Sequence, residues 1–292
     1  GPFLSMNPFS SRCCQHNHAQ GWPYFTEHLV LATPDNGVAT AIYAACKATV
    51  KVGDGKEITL HEETNYPFEE AIAFTVSTGE KVAFPFYLRI PSWTQKAEVR
   101  VNGKKVSAAP VAGKYLCINR EWANGDRVEL TLPMSLSMRT WQVNKNSVSV
   151  DYGPLTLSLK IAEKYVEKDS RETAIGDSKW QKGADSKKWP TTEIYPDSPW
   201  NYSLVLDKKE PLKNFKVIRK SWPADNYPFT VASVPLEVKA IGRPVPEWKI
   251  DETGLCGVLP EEDAVKGDKE EITLIPMGAA RLRISAFPNT KE

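Results

Sequence analysis

The sequence predicts an all-β protein in which two antiparallel β-sandwich domains follow a short helical segment. From residue 38 onward, short runs of alternating apolar and polar residues are separated by turn residues, which is typical of stacked antiparallel sheets. The 22 prolines mostly flank these runs and leave little room for helices. A chain of 292 residues is long enough to bury two ordinary cores, so two sandwiches are expected.

One helix is predicted before the sheets, over residues 22–32. Pro23 is tolerated in the first turn of a helix, because the backbone N–H that proline lacks has no helical partner there. The sequence Pro-Asp-Asn-Gly at residues 34–37 is a turn signal, and it is expected to end the helix.

The first sandwich is predicted over residues 38–139. Residues 71–76 and the alternating apolar residues of 84–90 flank a turn signal, and they are expected to pair as one hairpin with a buried face. The Asn-Gly pair at 102–103 is the strongest hairpin signal, because both residues tolerate the positive φ of a type I′ turn. In residues 127–132, every second side chain is apolar and is expected to face the core.

The second sandwich is predicted over residues 140–270. A polar stretch at 163–199 is too long for an ordinary connection, so it is expected to be a functional loop or an irregular excursion over the surface. Later strand signals are short apolar or alternating runs at residues 203–206, 229–232, 236–240, 272–275 and 280–284.

Composition argues against two classes of partner. The 37 basic and 36 acidic side chains give a formal net charge of +1, so nucleic acid is not an expected partner. No apolar run approaches the roughly 18 residues of a membrane-spanning helix, so no membrane partner is expected. The first residues lack the basic region and apolar stretch of a signal peptide. The compartment stays open among the periplasm, the extracellular space and the cytoplasm.

The adjacent residues Cys13 and Cys14 are the candidate functional site. A thiolate is both a nucleophile and a zinc ligand, and its pKa falls next to a metal, a cation or a helix N-terminus. A vicinal disulfide, a reversible redox pair and two buried thiols are the alternatives. Two cysteines supply half of the four ligands that zinc usually takes, and His16 or His18 would be unusual completions at such short range. The other ligands are therefore expected upstream of this chain.

The remaining cysteines and several tryptophans are interpreted as packing residues. Three cysteines have apolar or tight neighbours and are expected to be small buried side chains: Cys46, Cys117 and Cys256. Four tryptophans could stack on sugar rings, although packing of loops onto the sheets is favoured: Trp180, Trp189, Trp200 and Trp248.

A series of short motifs runs through the chain in a fixed order. It comprises Cys13-Cys14 with Asn17, Glu62-Glu63-Thr64-Asn65-Tyr66-Pro67, Leu88-Arg89-Ile90-Pro91-Ser92-Trp93, Val101-Asn102-Gly103, Tyr152-Gly153-Pro154-Leu155, Ser198-Pro199-Trp200-Asn201-Tyr202, and Leu274-Ile275-Pro276-Met277-Gly278 before Arg281-Leu282-Arg283-Ile284. This series resembles the C-terminal part of glycoside hydrolase family 127, which includes bacterial β-L-arabinofuranosidases. The resemblance covers nearly the whole chain.

The resemblance implies a longer parent enzyme, in which an N-terminal (α/α)6 catalytic barrel precedes two β-sandwich domains. Residues 1–37 would then be the C-terminal remnant of that barrel, and residues 271–290 would complete the first sandwich. Cys13 would be the nucleophile, as a zinc-bound thiolate, and Cys14 would be a second zinc ligand. The remaining zinc ligands and a glutamate acid and base would belong to the barrel, which this chain does not contain.

The implied function is that of a retaining exo-glycosidase, with sulfur replacing the usual carboxylate nucleophile. The substrate would be a β-L-arabinofuranoside or a related β-linked sugar, since residues 15–23 look unlike the arabinofuranosidase members. This chain alone is expected to hydrolyse nothing. A noncatalytic carbohydrate-binding or structural β-sandwich module is the alternative function. Exposed sheet edges beside a lost barrel interface predict self-association into a homo-oligomer.

Overall fold

A computed structural model describes residues 12–168, 187–188, 191–252, 254–261 and 263–292, without the side chains of residues 12–16, 18 and 191. Two compact units are found, one over His16–Ser135 and one over Leu136–Glu292. Strands dominate both units, so the all-β fold class is confirmed. Among the described residues, no helix is both long enough and apolar enough to cross a membrane.

The helix near the start of the chain, α1, spans Arg12–Glu27, so the predicted bounds of 22–32 are wrong. Pro23 lies inside α1 rather than in its first turn. At this interior position, the missing N–H of proline removes one backbone hydrogen bond of the helix. Residues 30–32 form a strand instead, because the turn at residues 34–37 folds them back onto the next strand. Asn36 closes this turn with a φ of 57°, which asparagine tolerates better than most residues.

Ten strands form the first unit. They are β1 (Val30–Ala32), β2 (Val38–Thr40), β3 (Cys46–Val52), β4 (Lys56–Thr64), β5 (Ala71–Thr78), β6 (Val82–Arg89), β7 (Glu98–Val101), β8 (Lys104–Lys105), β9 (Tyr115–Trp122) and β10 (Arg127–Thr131). One sheet has the order β1-β2-β6-β9 and the other has the order β3-β4-β5-β10-β7-β8. The pairs are antiparallel except for the parallel pair β2 and β6. Apolar side chains from both sheets share one buried core, so the unit is a β-sandwich.

The predicted hairpin of residues 71–76 with residues 84–90 is wrong. The β5 strand pairs with β4 and β10, whereas β6 pairs with β2 and β9 in the other sheet. The short turn between β5 and β6 therefore crosses from one sheet to the other. Both strands still bury one face, and the rings of Phe74 and Phe86 meet across the core with centroids 5.4 Å apart. Alternation predicts a buried face, but it does not identify the pairing partner.

Two other predictions for this unit are confirmed. The Asn-Gly turn joins β7 to β8, with φ of 50° at Asn102 and 77° at Gly103. On β10 and just beyond it, Val128, Leu130 and Leu132 are buried, whereas the intervening side chains are more exposed.

The described residues of the second unit also contain ten strands. They are β11 (Leu136–Trp141), β12 (Ser147–Tyr152), β13 (Leu155–Leu159), β14 (Glu163–Lys168), β15 (Thr191–Pro196), β16 (Tyr202–Leu206), β17 (Lys216–Arg219), β18 (Leu236–Pro244), β19 (Glu270–Pro276) and β20 (Asn289–Lys291). Eight of them form one sheet in the order β11-β12-β13-β19-β18-β16-β20, with β17 beside β18. This sheet encloses its own apolar core.

The end of the chain belongs to the second unit, which corrects the expectation that residues 271–290 complete the first sandwich. The β19 strand pairs with β13 and β18, and β20 pairs in parallel with β16. Each pairing extends a hydrogen-bonded ladder of the second unit. The predicted first boundary at residue 139 corresponds to Ser135 in the structure.

Three further expectations for the second unit need correction. Residues 229–232 form a turn, in which the Val234 amide donates to the Thr230 carbonyl. Residues 280–284 follow a short 3-10 helix and form no strand. The polar stretch at 163–199 is not wholly irregular, because its ends pair as the two-stranded ribbon of β14 and β15.

Candidate functional site

The cysteine pair lies at the beginning of α1. Cys13 and Cys14 are in the first helical turn, and their side chains lie outside the described part of the structure. Among the described residues, no three His, Cys, Asp or Glu side chains come together as metal ligands. The nucleophile role of Cys13 and the zinc-ligand roles of Cys13 and Cys14 therefore stay predictions.

The C-terminal half of α1 exposes aromatic side chains. Trp22 is 61% exposed and Tyr24 is 65% exposed, and Phe25 meets Trp22 edge to face. Neighbouring exposed aromatic residues on one helix are typical of a contact surface. The helix is thus well suited to pack against further protein.

Two of the sequence motifs meet at one end of the first sandwich, around Tyr43. The first motif closes β4 and includes Glu62 and Tyr66, and the second motif closes β6 and includes Arg89. These three side chains, together with that of Tyr43, are called the Tyr43 cluster. Tyr43 is 3% exposed, and its ring meets Tyr66 edge to face with centroids 5.8 Å apart. The fold therefore brings together residues that lie up to 46 positions apart.

Arg89 links the strands of the Tyr43 cluster to the loop after β2. Its Nε–H donates to the Ala41 carbonyl at 2.5 Å, and its guanidinium carbon lies 5.9 Å from the centre of the Tyr43 ring. Burial raises the pKa of Tyr66, and the charge of Arg89 and a hydrogen bond from it offset part of that rise. Arg89 carries no ion pair within the described ranges, and its charge is balanced by carbonyl and aromatic groups instead.

Glu62 is a carboxyl group on the core side of its strand. It follows Ile58 and Leu60 at every second position of β4 and is 1% exposed. Its Oε1 has no hydrogen-bond partner among the described atoms, and its Oε2 lies 3.9 Å from the Cys46 thiol. Burial raises the pKa of Glu62 to about 8. The group is therefore largely protonated at neutral pH, because burial disfavours the carboxylate.

The carboxyl group of the Tyr43 cluster is closed to a substrate. A glycosidase carboxyl must reach the glycosidic oxygen or the anomeric carbon, and the Glu62 side chain is fully enclosed by protein. The residues of the two motifs thus hold strands and loops in place rather than lining an open cleft. Tyr43 was not singled out by sequence reasoning, although Glu62 could have been found as a charged residue in an apolar alternation.

The other cysteines are less buried than the sequence predicts. Cys117 and Cys256 are exposed and Cys46 is half-buried, so the expectation of three buried thiols is wrong. Cys117 lies at an outward position of β9, between the inward residues of an alternating strand. Cys256 lies in a loop, where it forms an isolated bridge with Ile250.

Two tryptophans of the second unit pack as predicted. Trp248 is 3% exposed and donates its Nε1–H to the Gly257 carbonyl at 3.0 Å. Trp200 meets Trp248 edge to face at 5.2 Å and packs against the core of the unit. Trp180 and Trp189 lie outside the described residues.

A protein-family model covers nearly the same residues as the first sandwich. The model describes the middle domain of the GH127 β-L-arabinofuranosidases, and it matches residues 37–134. Residues 37–134 are thus similar to a GH127 middle domain. The resemblance drawn from the motifs is thereby confirmed, and the chain is related to the GH127 β-L-arabinofuranosidases. No curated protein matches the chain significantly by sequence.

Solved structures extend the likeness beyond the GH127 middle domain. A GH127 β-L-arabinofuranosidase from Geobacillus stearothermophilus T6 is similar over 95% of this chain, with 21% identity and a TM-score of 0.63. A glycoside hydrolase is similar over 97%, with 22% identity and a TM-score of 0.63. A GH127 β-arabinofuranosidase is similar over 99%, with 22% identity and a TM-score of 0.64. This chain covers 37%, 40% and 42% of their respective lengths.

Proposed function

We propose that this chain is the C-terminal β-sandwich portion of a retaining glycoside hydrolase. The GH127 middle-domain match over residues 37–134 carries the proposal. The solved relatives support it through their shared fold, and two of them are named as β-arabinofuranosidases. The substrate class is a β-L-arabinofuranoside or a related β-linked sugar. A catalytic barrel would provide the part of the relatives that this chain does not cover.

Cys13 is the proposed nucleophile. It lies in the first turn of α1, which contains no acidic residue. The positive end of the helix dipole favours a thiolate there. In the first step, the Cys13 sulfur bonds to the anomeric carbon while the bond to the leaving oxygen breaks, and a general acid from the barrel protonates that oxygen. In the second step, the same barrel group takes a proton from a water molecule as that water attacks the anomeric carbon. The carbon–sulfur bond breaks and the thiolate is restored, so the configuration is retained.

Cys13 and Cys14 are also the proposed zinc ligands within this chain. Thiolates suit zinc, and two of them leave half of a four-ligand site to residues outside the chain. Bound zinc would lower the pKa of the thiol and make the sulfur a better leaving group. The described residues contribute no further cluster of metal-binding side chains.

A noncatalytic carbohydrate-binding or structural module is the second candidate function. It is favoured by the Tyr43 cluster, where Glu62 is buried and Arg89 contacts Tyr43 and Tyr66. Under this alternative, the chain would stabilise a neighbouring domain or hold a saccharide, and Cys13 would take no part in turnover.

The two candidate functions can be distinguished by an experiment on a longer natural protein that includes the segment upstream of this chain. Its hydrolysis of an aryl β-L-arabinofuranoside would be measured with zinc supplied, for the unchanged protein and for Cys13→Ser and Cys256→Ser. The nucleophile proposal expects Cys13→Ser to abolish turnover. Cys256→Ser should leave turnover unchanged, because Cys256 is an exposed cysteine of the second unit. Full activity of Cys13→Ser would contradict the proposal.

Zinc content provides a second readout that does not depend on the sugar. Metal analysis of the longer protein is expected to find about one zinc per chain, and less in Cys14→Ser. Equal zinc in both proteins would remove Cys14 from the ligand set. The 292-residue chain should show no hydrolysis in the same assay, and turnover by this chain alone would contradict its supporting role.

A further inference from the structure

The outer face of the four-stranded sheet carries an open trough that the proposed catalytic role does not use. Cross-strand register places Leu31, Ala39 and Tyr87 side by side on β1, β2 and β6. Ala39 is the smallest of the three, so it forms a low floor between larger side chains. The trough has a volume of about 540 Å³, and its lining residues are Thr33, Pro34, Asp35, Ala39, Tyr87 and Tyr115.

Tyr115 forms an exposed aromatic wall of this trough. It is 49% exposed at the start of β9, where it lies opposite Arg89 and diagonal to Tyr87. Its hydroxyl forms no hydrogen bond with the described part of the chain. The face of a tyrosine ring is electronegative, so it attracts the weakly positive C–H groups of a ligand. The ring thus offers a ready stacking surface.

Asp35 provides fixed polar groups at the other end of the trough. Its Oδ1 accepts a hydrogen bond from Thr33, and its Oδ2 accepts one from the Tyr87 hydroxyl, both at 2.5 Å. These two bonds lower the pKa of Asp35, so the group is ionised at neutral pH. Tyr87 donates its proton to Asp35 and also forms a hydrogen bond with the Cys117 thiol, so one lone pair of its phenolic oxygen stays available as an acceptor for a ligand hydroxyl.

We propose that this surface, called the Tyr115 trough, is a noncatalytic saccharide-binding site. A sugar ring has an apolar C–H face and a rim of hydroxyl donors, which match an exposed aromatic face and oriented oxygen acceptors. The volume lies within the usual range for small-molecule sites. The sugar class rests on the proposed function, whereas the stacking geometry does not. A protein partner would be less well matched, because the polar groups are confined to one end of a small trough.

Affinity electrophoresis of the 292-residue chain tests the proposal, with soluble arabinan and arabinogalactan as the probes. Both polysaccharides should be compared at matched concentrations with a gel that contains none. At least one probe is expected to retard the chain. Tyr115→Ala should weaken retardation about fivefold, and Tyr115→Phe should keep most of it, because the ring provides the stacking surface. Tyr227→Ala is the matched control, since Tyr227 is 50% exposed in the second unit.

Three results would overturn the proposal. These are the absence of retardation with both polysaccharides, equal retardation of the unchanged chain and Tyr115→Ala, and dimers that Tyr115→Ala converts to monomers in light scattering. The third result would identify the trough as a contact between copies of the chain. None of these results bears on Cys13, because hydrolysis of a small aryl glycoside by the longer protein tests the nucleophile separately.

Discussion

The Tyr43 hydroxyl donates a hydrogen bond of 2.5 Å to the backbone carbonyl of Arg89, and the Arg89 guanidinium lies over the Tyr43 ring. Tyr43 belongs to the loop after β2, whereas Arg89 is the last residue of β6. The reciprocal contact therefore fixes the loop to the end of the strand. Tyr66 and Glu62 complete the cluster from the side of the opposite sheet, so this group of buried and half-buried side chains ties both layers of the first sandwich together.

Removal of the Tyr43 hydroxyl should destabilise the first unit. Tyr43→Phe keeps the ring but leaves the Arg89 carbonyl without this donor, and we expect the free energy of unfolding to fall by about 1–2 kcal/mol. Urea unfolding of the unchanged chain and the variant measures the difference. The control is Tyr227→Phe, which alters a half-exposed tyrosine and should change stability by less than about 0.5 kcal/mol. Equal effects of the two substitutions would contradict the role of the hydroxyl.

Glu62 should make stability fall as pH rises. Its pKa is about 8 in the folded chain against 4.5 for an ordinary glutamate. Between these values, the folded chain binds a proton that the unfolded chain has released, so rising pH favours unfolding. Above a pH of about 8, Glu62 is ionised in both the folded and the unfolded chain, and its contribution to stability is fully lost. Glu62→Gln cannot ionise, so its stability relative to the unchanged chain should increase across this window by a few kcal/mol.

Unfolding free energies at a series of pH values between 4.5 and about 8 check this linkage. The control is Ser203→Ala, because this substitution removes a buried hydroxyl but no ionisable group. Its pH profile should run parallel to that of the unchanged chain. A parallel profile for Glu62→Gln as well would mean that Glu62 is ionised in the folded state over the whole window.

Ser158 should anchor the end of the chain to the second unit. Its buried Oγ donates to the Ile284 carbonyl at 3.1 Å and accepts from the Ile284 amide at 3.0 Å. Ser158→Ala would leave the buried amide without a partner, so we expect a loss of about 1–3 kcal/mol and faster hydrogen exchange at Ile284. Ser203→Ala is a matched control, because the Ser203 hydroxyl is buried without a partner among the described atoms. A similar cost for both serines would contradict the anchoring role.

The fold class could be predicted because alternation depends on local burial alone. The repeat of Val128, Leu130 and Leu132 identifies a strand with one face on a core, whichever strand lies beside it. Pairing depends on contacts that are distant in sequence, and the sequence therefore predicted a β5–β6 hairpin that does not form. The position of the last strands was expected from the family resemblance and not from alternation, and β19 instead pairs with β13 and β18 of the second unit.

The candidate site was predictable only where residue chemistry is itself unusual. The Cys13–Cys14 pair is rare enough to suggest metal or nucleophile chemistry without any knowledge of the fold. Nothing in the local sequence distinguishes Tyr43 or Tyr115 from other tyrosines. The contacts of Tyr43 depend on the path of the loop after β2, and the position of Tyr115 depends on the register between β6 and β9. Motifs around Glu62 and Arg89 carried the resemblance to the GH127 family, although the structure gives these residues a supporting role in the sandwich.

The two glycines Gly103 and Gly21 should respond to alanine in opposite directions. Gly103 has a φ of 77°, where a Cβ is strained, so Gly103→Ala should cost about 1 kcal/mol. Gly21 lies inside α1 with open space around its Cα, and Gly21→Ala should favour the helix by up to about 1 kcal/mol. Thermal unfolding and the helical circular dichroism signal measure both effects. A stabilising Gly103→Ala would mean that the β7–β8 turn is not the type I′ turn described, and a destabilising Gly21→Ala would mean that the exposed helix packs against something at that position.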